Sequence, residues 1–247
     1  MPNLFARFRA GDNTFFRAGP ALGTLLLMIV TIDGPAASGK STTARNLARK
    51  LNIAYLDTGA TYRAVTLKAL RDGIDLTDET ALTQAARDMK IDMVADPEGV
   101  IVLLNGQDVT EDIRSSWVTG NVKYAAASPA TRKVLVQLQR DLGEELGDFV
   151  AEGRDQGTVV FPNADFKFYL VAEPKVRAAR RMAEGIERGE TRTLPEVLAE
   201  ILARDERDAS RTVSPMVKPS GAIEVDTTSK DPEQVALELL THIGTAR

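Results

Sequence analysis

The sequence predicts an α/β fold: a parallel β-sheet core flanked by helices, with a small antiparallel insertion and a short lid. Three observations carry this expectation. Apolar runs of strand length alternate with stretches whose apolar residues recur at helical spacing. The first of these runs leads into a glycine-rich loop that opens an amphipathic helix. Between about 85 and 112 the alternation gives way to two apolar runs joined by turn residues, the pattern of a hairpin.

Taken in order, MIVTID (28–33) is a short buried strand, and the helix after it puts Ala44, Leu47, Ala48 and Leu51 on one face. IAYLD (53–57) is a second strand, followed by a helix through Tyr62, Val65, Ala69 and Leu70. In the insertion, KIDMVA and VIVLLNG flank the turn DPEG (96–99), and Asn105–Gly106 marks another turn. Ser128–Pro129 supplies the N-cap and first residue of a helix whose apolar face is Leu135, Leu138 and Leu142. DFVAE (148–152) and FKFYLVAE (166–173) are further core strands. Helices follow at about 174–187 and 195–210, then a strand AIEVD (222–226) and a last helix from Pro232. The expected order is β-α-β-α-(β insertion)-α-β-β-α-α-β-α.

Composition narrows the chemistry. With 247 residues, 43% apolar and 27% charged, the chain has the balance of one substantial soluble domain. A net charge of −4 supplies no basic field for nucleic acid or an anionic membrane, so neither is an expected partner. There is no cysteine and one histidine, His242, which removes disulfides, thiolate metal sites and serine–histidine triads. Any catalysis must run on Lys, Arg, Asp, Glu, Ser, Thr and a bound metal. Residues 1–27 carry Arg7, Arg9 and Arg17 but no Ser or Lys, and the apolar run 21–32 is too short to span a bilayer. Because that run ends in the first core strand, residues 1–27 are expected to be an extension, disordered or upstream of the true start.

GPAASGKS (34–41) matches G-x-x-x-x-G-K-[ST] at every fixed position, between a strand and a helix. Glycines let consecutive backbone N–H groups point inward at phosphate oxygens, and the helix N-terminus adds partial positive charge. Lys40 would reach the β- and γ-phosphates of a nucleoside triphosphate, and Ser41 would offer its hydroxyl to Mg²⁺. A GTP-driven switch is the rival from another class. DPEG fits D-x-x-G, but it lies between two β runs and no N-K-x-D base-reading motif exists.

A second phosphate needs its own cations. In LDTGATYR (56–63), Thr58 can cap the following helix while Arg63 lies about a turn later; a plain Asp/Thr cap is the alternative. Arg132 stands in the first turn of its helix, an unfavourable end for a cation unless it faces an acceptor. AEGRDQGTVVFP (151–162) places Glu152, Arg154 and Asp155 at the carboxyl end of a core strand, where α/β sheets bind ligands, with Gly153 and Gly157 permitting close approach. In LPEVLAEILARDERDASR (194–211) the apolar stripe of Val197 and Ile201 continues as Arg204, Asp208 and Arg211, as though the helix entered a polar cleft. Arg177, Arg180, Arg181, Arg188 and Arg192 surround the Gly-containing EGIERGE, which suggests a lid bringing guanidinium groups to a transferring phosphoryl group.

Together DGPAASGKST, YLDTGATYR, AEGRDQGTVVFP and RDERDASR, in this order and spacing, resemble the bacterial cytidylate kinases over about Met28 to the C-terminus. The resemblance implies transfer of the γ-phosphoryl group of ATP, with Mg²⁺, to CMP or dCMP; a cytoplasmic monomer is the default expectation. It implies an ATP site from Gly34 through Pro35, Ala36, Ala37, Ser38 and Gly39 to Lys40, Ser41 and Thr42. Thr58, Arg63 and Arg154 would hold the acceptor's phosphate, Arg132 and Asp155 would read the cytosine edge, and Arg204, Asp208 and Arg211 would reach the ribose. Arg180 and Arg181 match the paired arginines before the family's lid, so Lys40, Arg154, Arg180 and Arg181 are the expected catalytic set. It also implies a kinase domain over 28–247, with the acceptor-binding part and its insertion at about 58–126 and the lid at about 180–193. One position departs from the pattern: Lys123 stands where the family would offer a serine to the base. Kinases for UMP, AMP, shikimate or dephospho-CoA are the neighbouring alternatives.

Overall fold

The computed structural model describes residues 28–96, 99–187 and 189–245. Residues 1–27, Pro97 and Glu98 of the DPEG turn, and Arg188 of the expected lid lie outside these.

Strand β1 (Ile29–Asp33) sits at the centre of a five-stranded sheet, which is why Val30 to Asp33 are buried on both faces. It pairs in parallel with β6 (Phe149–Glu152) on one side and β7 (Phe166–Val171) on the other. β2 (Ala54–Asp57) extends the sheet beyond β6, and β8 (Ile223–Asp226) beyond β7, giving the order β2-β6-β1-β7-β8. Every pairing in this sheet is parallel.

The two-residue period of the strands divides the core. Val30, Ile32, Val150, Phe168 and Leu170 pack with Leu47 of α1 (Lys40–Leu51) and Leu239 of α8 (Pro232–Thr245). Leu56, Phe149 and Ala151 pack with Val65 of α2 (Thr58–Arg71), Leu135 of α5 (Pro129–Leu146) and Phe161. Burying each of the larger side chains contributes about 1.5–3 kcal/mol. Gly143, within α5, is explained by this packing: a Cβ there would stand 2.9 Å from the ring of Phe149, which meets Phe161 edge-on at 5.0 Å.

The antiparallel insertion is β3 (Ile91–Asp96), β4 (Gly99–Leu104) and β5 (Gln107–Asp108). Asn105 and Gly106 both adopt left-handed φ, at 51° and 83°, and join β4 to β5 as that dipeptide favours.

The expected element order omits two helices. Helix α3 (Glu79–Asp88) is started by Asp78, whose carboxylate accepts the N–H groups of Thr80 and Ala81, and it buries Leu82, Ala85 and Ala86 at helical spacing. Helix α4 (Ser116–Ala127) has weak amphipathicity because only Val118 and Ala125 are buried, while Thr119, Gly120 and Lys123 face an open cleft. The segment expected as a lid, about 180–193, is part helix. Its first half is the end of α6 (Pro174–Glu187), and α7 (Leu194–Ala209) begins at a capping box of Thr193 and Glu196, so 189–193 is the described connection.

Candidate functional site

The carboxyl ends of β1, β2 and β6 open onto one cleft of about 1380 Å³, which runs from the glycine-rich loop to the antiparallel insertion. On the loop side, Gly34 adopts φ 146°, and a Cβ there would lie 2.2 Å from the Leu170 carbonyl oxygen, so only glycine can leave β1 at this point. Ala37 and Gly39 turn the loop through left-handed φ, and α1 starts at Lys40 with no side-chain cap and no acid in its first turn. That leaves its N–H groups directed at the cleft as an anion site.

Lys40 is buried and folded into its own loop, its Nζ donating to the Pro35 carbonyl at 2.6 Å and to Ser38 Oγ at 3.3 Å. Burial, and then the nearby charge of Arg154, hold its ammonium well below the usual lysine range, against the pull of Glu152. Ser41 Oγ donates to Glu152 Oε1 at 2.7 Å, joining the loop to the end of β6. Ser41, Thr42 and Gly39 line the cleft.

Across the cleft the predicted acceptor residues come together, several of them already in ion pairs. Asp57, not Thr58, is the N-cap of α2, accepting from the Ala60 N–H at 3.1 Å. Thr58 is the first helical residue, and its hydroxyl donates to the Glu152 carbonyl at 2.7 Å. The sequence offered both residues as caps; the extended backbone of Asp57 decides it. Arg63 pairs with Asp57 at 2.6 Å, and its buried Nε has no partner. Arg132 and Asp155 form a buried pair at 2.6 Å, with Arg132 lying 5.2 Å over the ring of Tyr62 and its Nε also without a partner. Arg154 Nε bonds Asp208 at 3.2 Å, and Arg211 bonds the other oxygen of that carboxylate. Arg204 lies beside them, its guanidinium pushed down to about 10 by burial and then by Arg154.

Gly153 and Gly157 are required by crowding, as expected. A Cβ on Gly153 would stand 2.8 Å from Thr58 Oγ1, and one on Gly157 would stand 2.9 Å from Thr31 Oγ1. From just after Gly153, and through Gly157, the chain makes a single wide turn, Gln156–Val160, with the Phe161 N–H bonding back to the Gln156 carbonyl at 2.7 Å. No pattern in QGTVV announces it.

The lid arginines separate. Arg181 lines the cleft, with one nitrogen 3.2 Å from Glu184. Arg180 is not part of the cleft wall: its guanidinium donates to the carbonyls of Thr227 and Lys230, beyond β8. It comes within 4.0 Å of where a Cβ on Gly39 would stand. Arg177 is buried and braces the loop, donating to the Ala36 carbonyl and to Asp205, which itself accepts the Ala36 N–H at 2.9 Å. It belongs to the floor of the loop rather than to a lid.

Two residues were not anticipated from sequence. Arg114, just before α4, reaches the same Asp57 oxygen that holds Arg63, at 3.8 Å, and lines the cleft from the insertion. Asp33, wholly buried at the end of β1, accepts the N–H groups of Gln156 at 2.9 Å and Gly157 at 2.7 Å. Both act through partners distant in sequence, which no local motif reports.

A phosphate-binding loop at the end of a central parallel strand, facing a cleft walled by arginines, defines a P-loop kinase. The family model described as "Cytidylate kinase" matches residues 30–245. A cytidylate kinase of Bacillus velezensis is 46% identical over 211 residues, covering 85% of this chain and 94% of that one. One from Clostridioides difficile is 42% identical over 217 residues, covering 88% and 98%, and one from Rhodococcus jostii is 44% identical over 213, covering 86% and 93%. The chain belongs to the cytidylate kinase family.

Proposed function

We propose that this enzyme transfers the γ-phosphoryl group of ATP to CMP or dCMP, giving ADP and CDP or dCDP. The observation that carries this reading is the arrangement of the cleft: Lys40 and the N-terminus of α1 on one side, Arg63, Arg154 and the Arg132–Asp155 pair on the other. One side suits the phosphates of a triphosphate, the other a monophosphate and a polar base edge.

The acceptor's phosphate has a second pKa near 6, so its attacking oxygen is largely anionic at neutral pH and no general base is needed. Catalysis reduces to aligning two anions and neutralising the charge between them. In this reading Arg63 and Arg154 leave Asp57 and Asp208 to take the acceptor's phosphate, while Lys40 and Arg181 face the transferred group. The Arg132–Asp155 pair offers donor and acceptor atoms side by side, as a cytosine edge requires, and Arg204, Asp208 and Arg211 lie toward the ribose. Arg180 is assigned to the side of the loop near Gly39, away from the acceptor. Mg²⁺ bound with ATP would add charge neutralisation; Ser41 suits it, a hard oxygen in the first turn of α1 oriented by Glu152 at 2.7 Å.

The domain assignment follows the same reading: β3 to β5 with α4 cover the acceptor, and the end of α6 with 189–193 covers the transferred phosphoryl group. Among the described residues no helix is long and apolar enough to cross a membrane. A cytoplasmic monomer using only small-molecule substrates is the state we propose.

The test is Mg·ATP-dependent ADP release by the full chain with CMP, dCMP, UMP and AMP in turn. Strong turnover with CMP and dCMP and little with the others is expected. Comparable turnover with UMP would make Lys123, which lines the cleft, the cause of relaxed base choice. No acceptor-dependent ADP in a protein that still binds ATP would reject the acceptor assignment.

A further inference from the structure

Asp33 is the one buried carboxylate in this region to which the reaction gives no role. It ends β1, the following residue opens the glycine loop, and its side chain is closed to solvent. Each of its oxygens accepts a backbone N–H from the wide turn that follows Arg154 and Asp155: Oδ1 from Gln156 at 2.9 Å, Oδ2 from Gly157 at 2.7 Å. The residue that would ordinarily cap this turn, Asp155, makes no capping bond of its own. Its carboxylate is turned instead to Arg132. Asp33 therefore caps the turn from another strand, 123 residues away.

Two acceptor oxygens are what the geometry demands. An amide has one acceptor and would set its own N–H₂ against the second backbone N–H. Burial pushes the Asp33 carboxyl up to about 6; Asp155 adds to this, while the two N–H groups and Lys40 oppose it. The charged or titratable groups facing it are Lys40 from α1, Asp155 from the turn and Tyr169 from β7. The desolvation of a carboxylate in so dry a place is offset by these two N–H groups, which an apolar residue would leave without partners.

We propose that Asp33 is a positioning residue for the acceptor: its carboxylate ties the turn bearing Arg154 and Asp155 to the strand that launches the phosphate loop. The acceptor-holding groups and the loop thereby share one anchor, and the distance between the two phosphates is set by it. This rests on the acceptor assignment proposed above. Arg140 of α5 donates to the Val159 and Val160 carbonyls at 2.7 and 2.9 Å on one side, and Asp33 holds the β1 side of the turn. Its own bonds, Phe161 to Gln156 and Val160 to Asp155, stabilise its shape and not its place. Misplacing reacting groups by about 1 Å costs on the order of a hundredfold in rate.

The experiment compares full-length wild type with Asp33→Asn, measuring kcat and KM for CMP and for ATP between pH 5.5 and 8.5. Taking the ratio of the two proteins at each pH cancels the titration of the substrates' own phosphates. At pH 8 the variant is expected to lose at least about tenfold in kcat/KM for CMP, with KM for ATP within about twofold of wild type. The ratio should then shrink as pH falls through about 6, where wild type loses the ionised carboxylate. CMP parameters within twofold of wild type at pH 8, or a KM for ATP that rises in step with that for CMP, would overturn the proposal. If Asp33→Asn does not fold, the wild-type amide resonances of Gln156 and Gly157 decide it: the two are expected to shift together with a midpoint near 6, and stationary amides overturn it. A wild type that lacks CMP-dependent turnover while its amides titrate rejects the acceptor assignment and not the tie between Asp33 and the turn.

Discussion

Lys40 is held by the Pro35 carbonyl and Ser38 hydroxyl of its own loop, so the loop itself places its ammonium. On the proposed reaction, replacing it with alanine removes a charge facing the transferred group and should lower kcat by at least about a hundredfold, the scale of losing one preorganised electrostatic donor. Circular dichroism should report an unchanged fold. The depressed ammonium also has a consequence for binding. Triphosphate charge beside Lys40 favours its protonated form, so the enzyme should take up a proton when it binds ATP under alkaline conditions. Calorimetric titrations in two buffers of different ionisation enthalpy measure this directly; Lys40→Ala should abolish the uptake. Arg180 and Arg181 show the limit of reading single residues. Neighbours in a helix point about 100° apart. Only Arg181 is turned to the cleft, while Arg180 is spent on the carbonyls of Thr227 and Lys230.

At the scale of elements, helix α7 carries Arg204 and Asp208 into the cleft, and its start is fixed by the Thr193–Glu196 capping box. Thr193→Ala should cost about 1 kcal/mol of stability, seen as a lower midpoint in urea, because one N–H of the first turn loses its partner. KM for CMP should stay nearly unchanged, since Arg204 and Asp208 lie more than two turns further along the helix. The capping box was present in T-L-P-E but overshadowed by the arginines around it. Helix α4 was missed for a different reason. A helix that turns one side to a solvent-filled cleft need not be apolar there, so its pattern is diluted by function.

For the whole molecule, one ionic contact between the segment after the insertion and the core bears on the acceptor. Asp57, at the end of β2, holds Arg63 at 2.6 Å and Arg114 at 3.8 Å on one oxygen. If Arg63 turns to the acceptor's phosphate, Asp57 is released to Arg114, and the insertion is drawn toward the bound acceptor. Arg114→Ala should therefore raise KM for CMP several-fold and leave KM for ATP unchanged; equal changes in both would show that Arg114 acts on the fold in general. Because Arg114 is partly exposed, little loss of stability should accompany this.

The amino-acid sequence by itself determined the phosphate loop, the parallel core, the NG turn of the insertion and the residue types that gather in the cleft. Each of these depends on backbone preferences or side-chain periods that act within a few residues. Tertiary structure decided which of two adjacent arginines faces the cleft, that Asp57 rather than Thr58 caps α2, that Arg177 supports the loop, and that Asp33 holds a turn 123 residues away. These outcomes depend on pairings between β1, β6 and the elements packed around them, and a hydrogen bond formed across a sheet leaves no periodic trace in either partner's sequence.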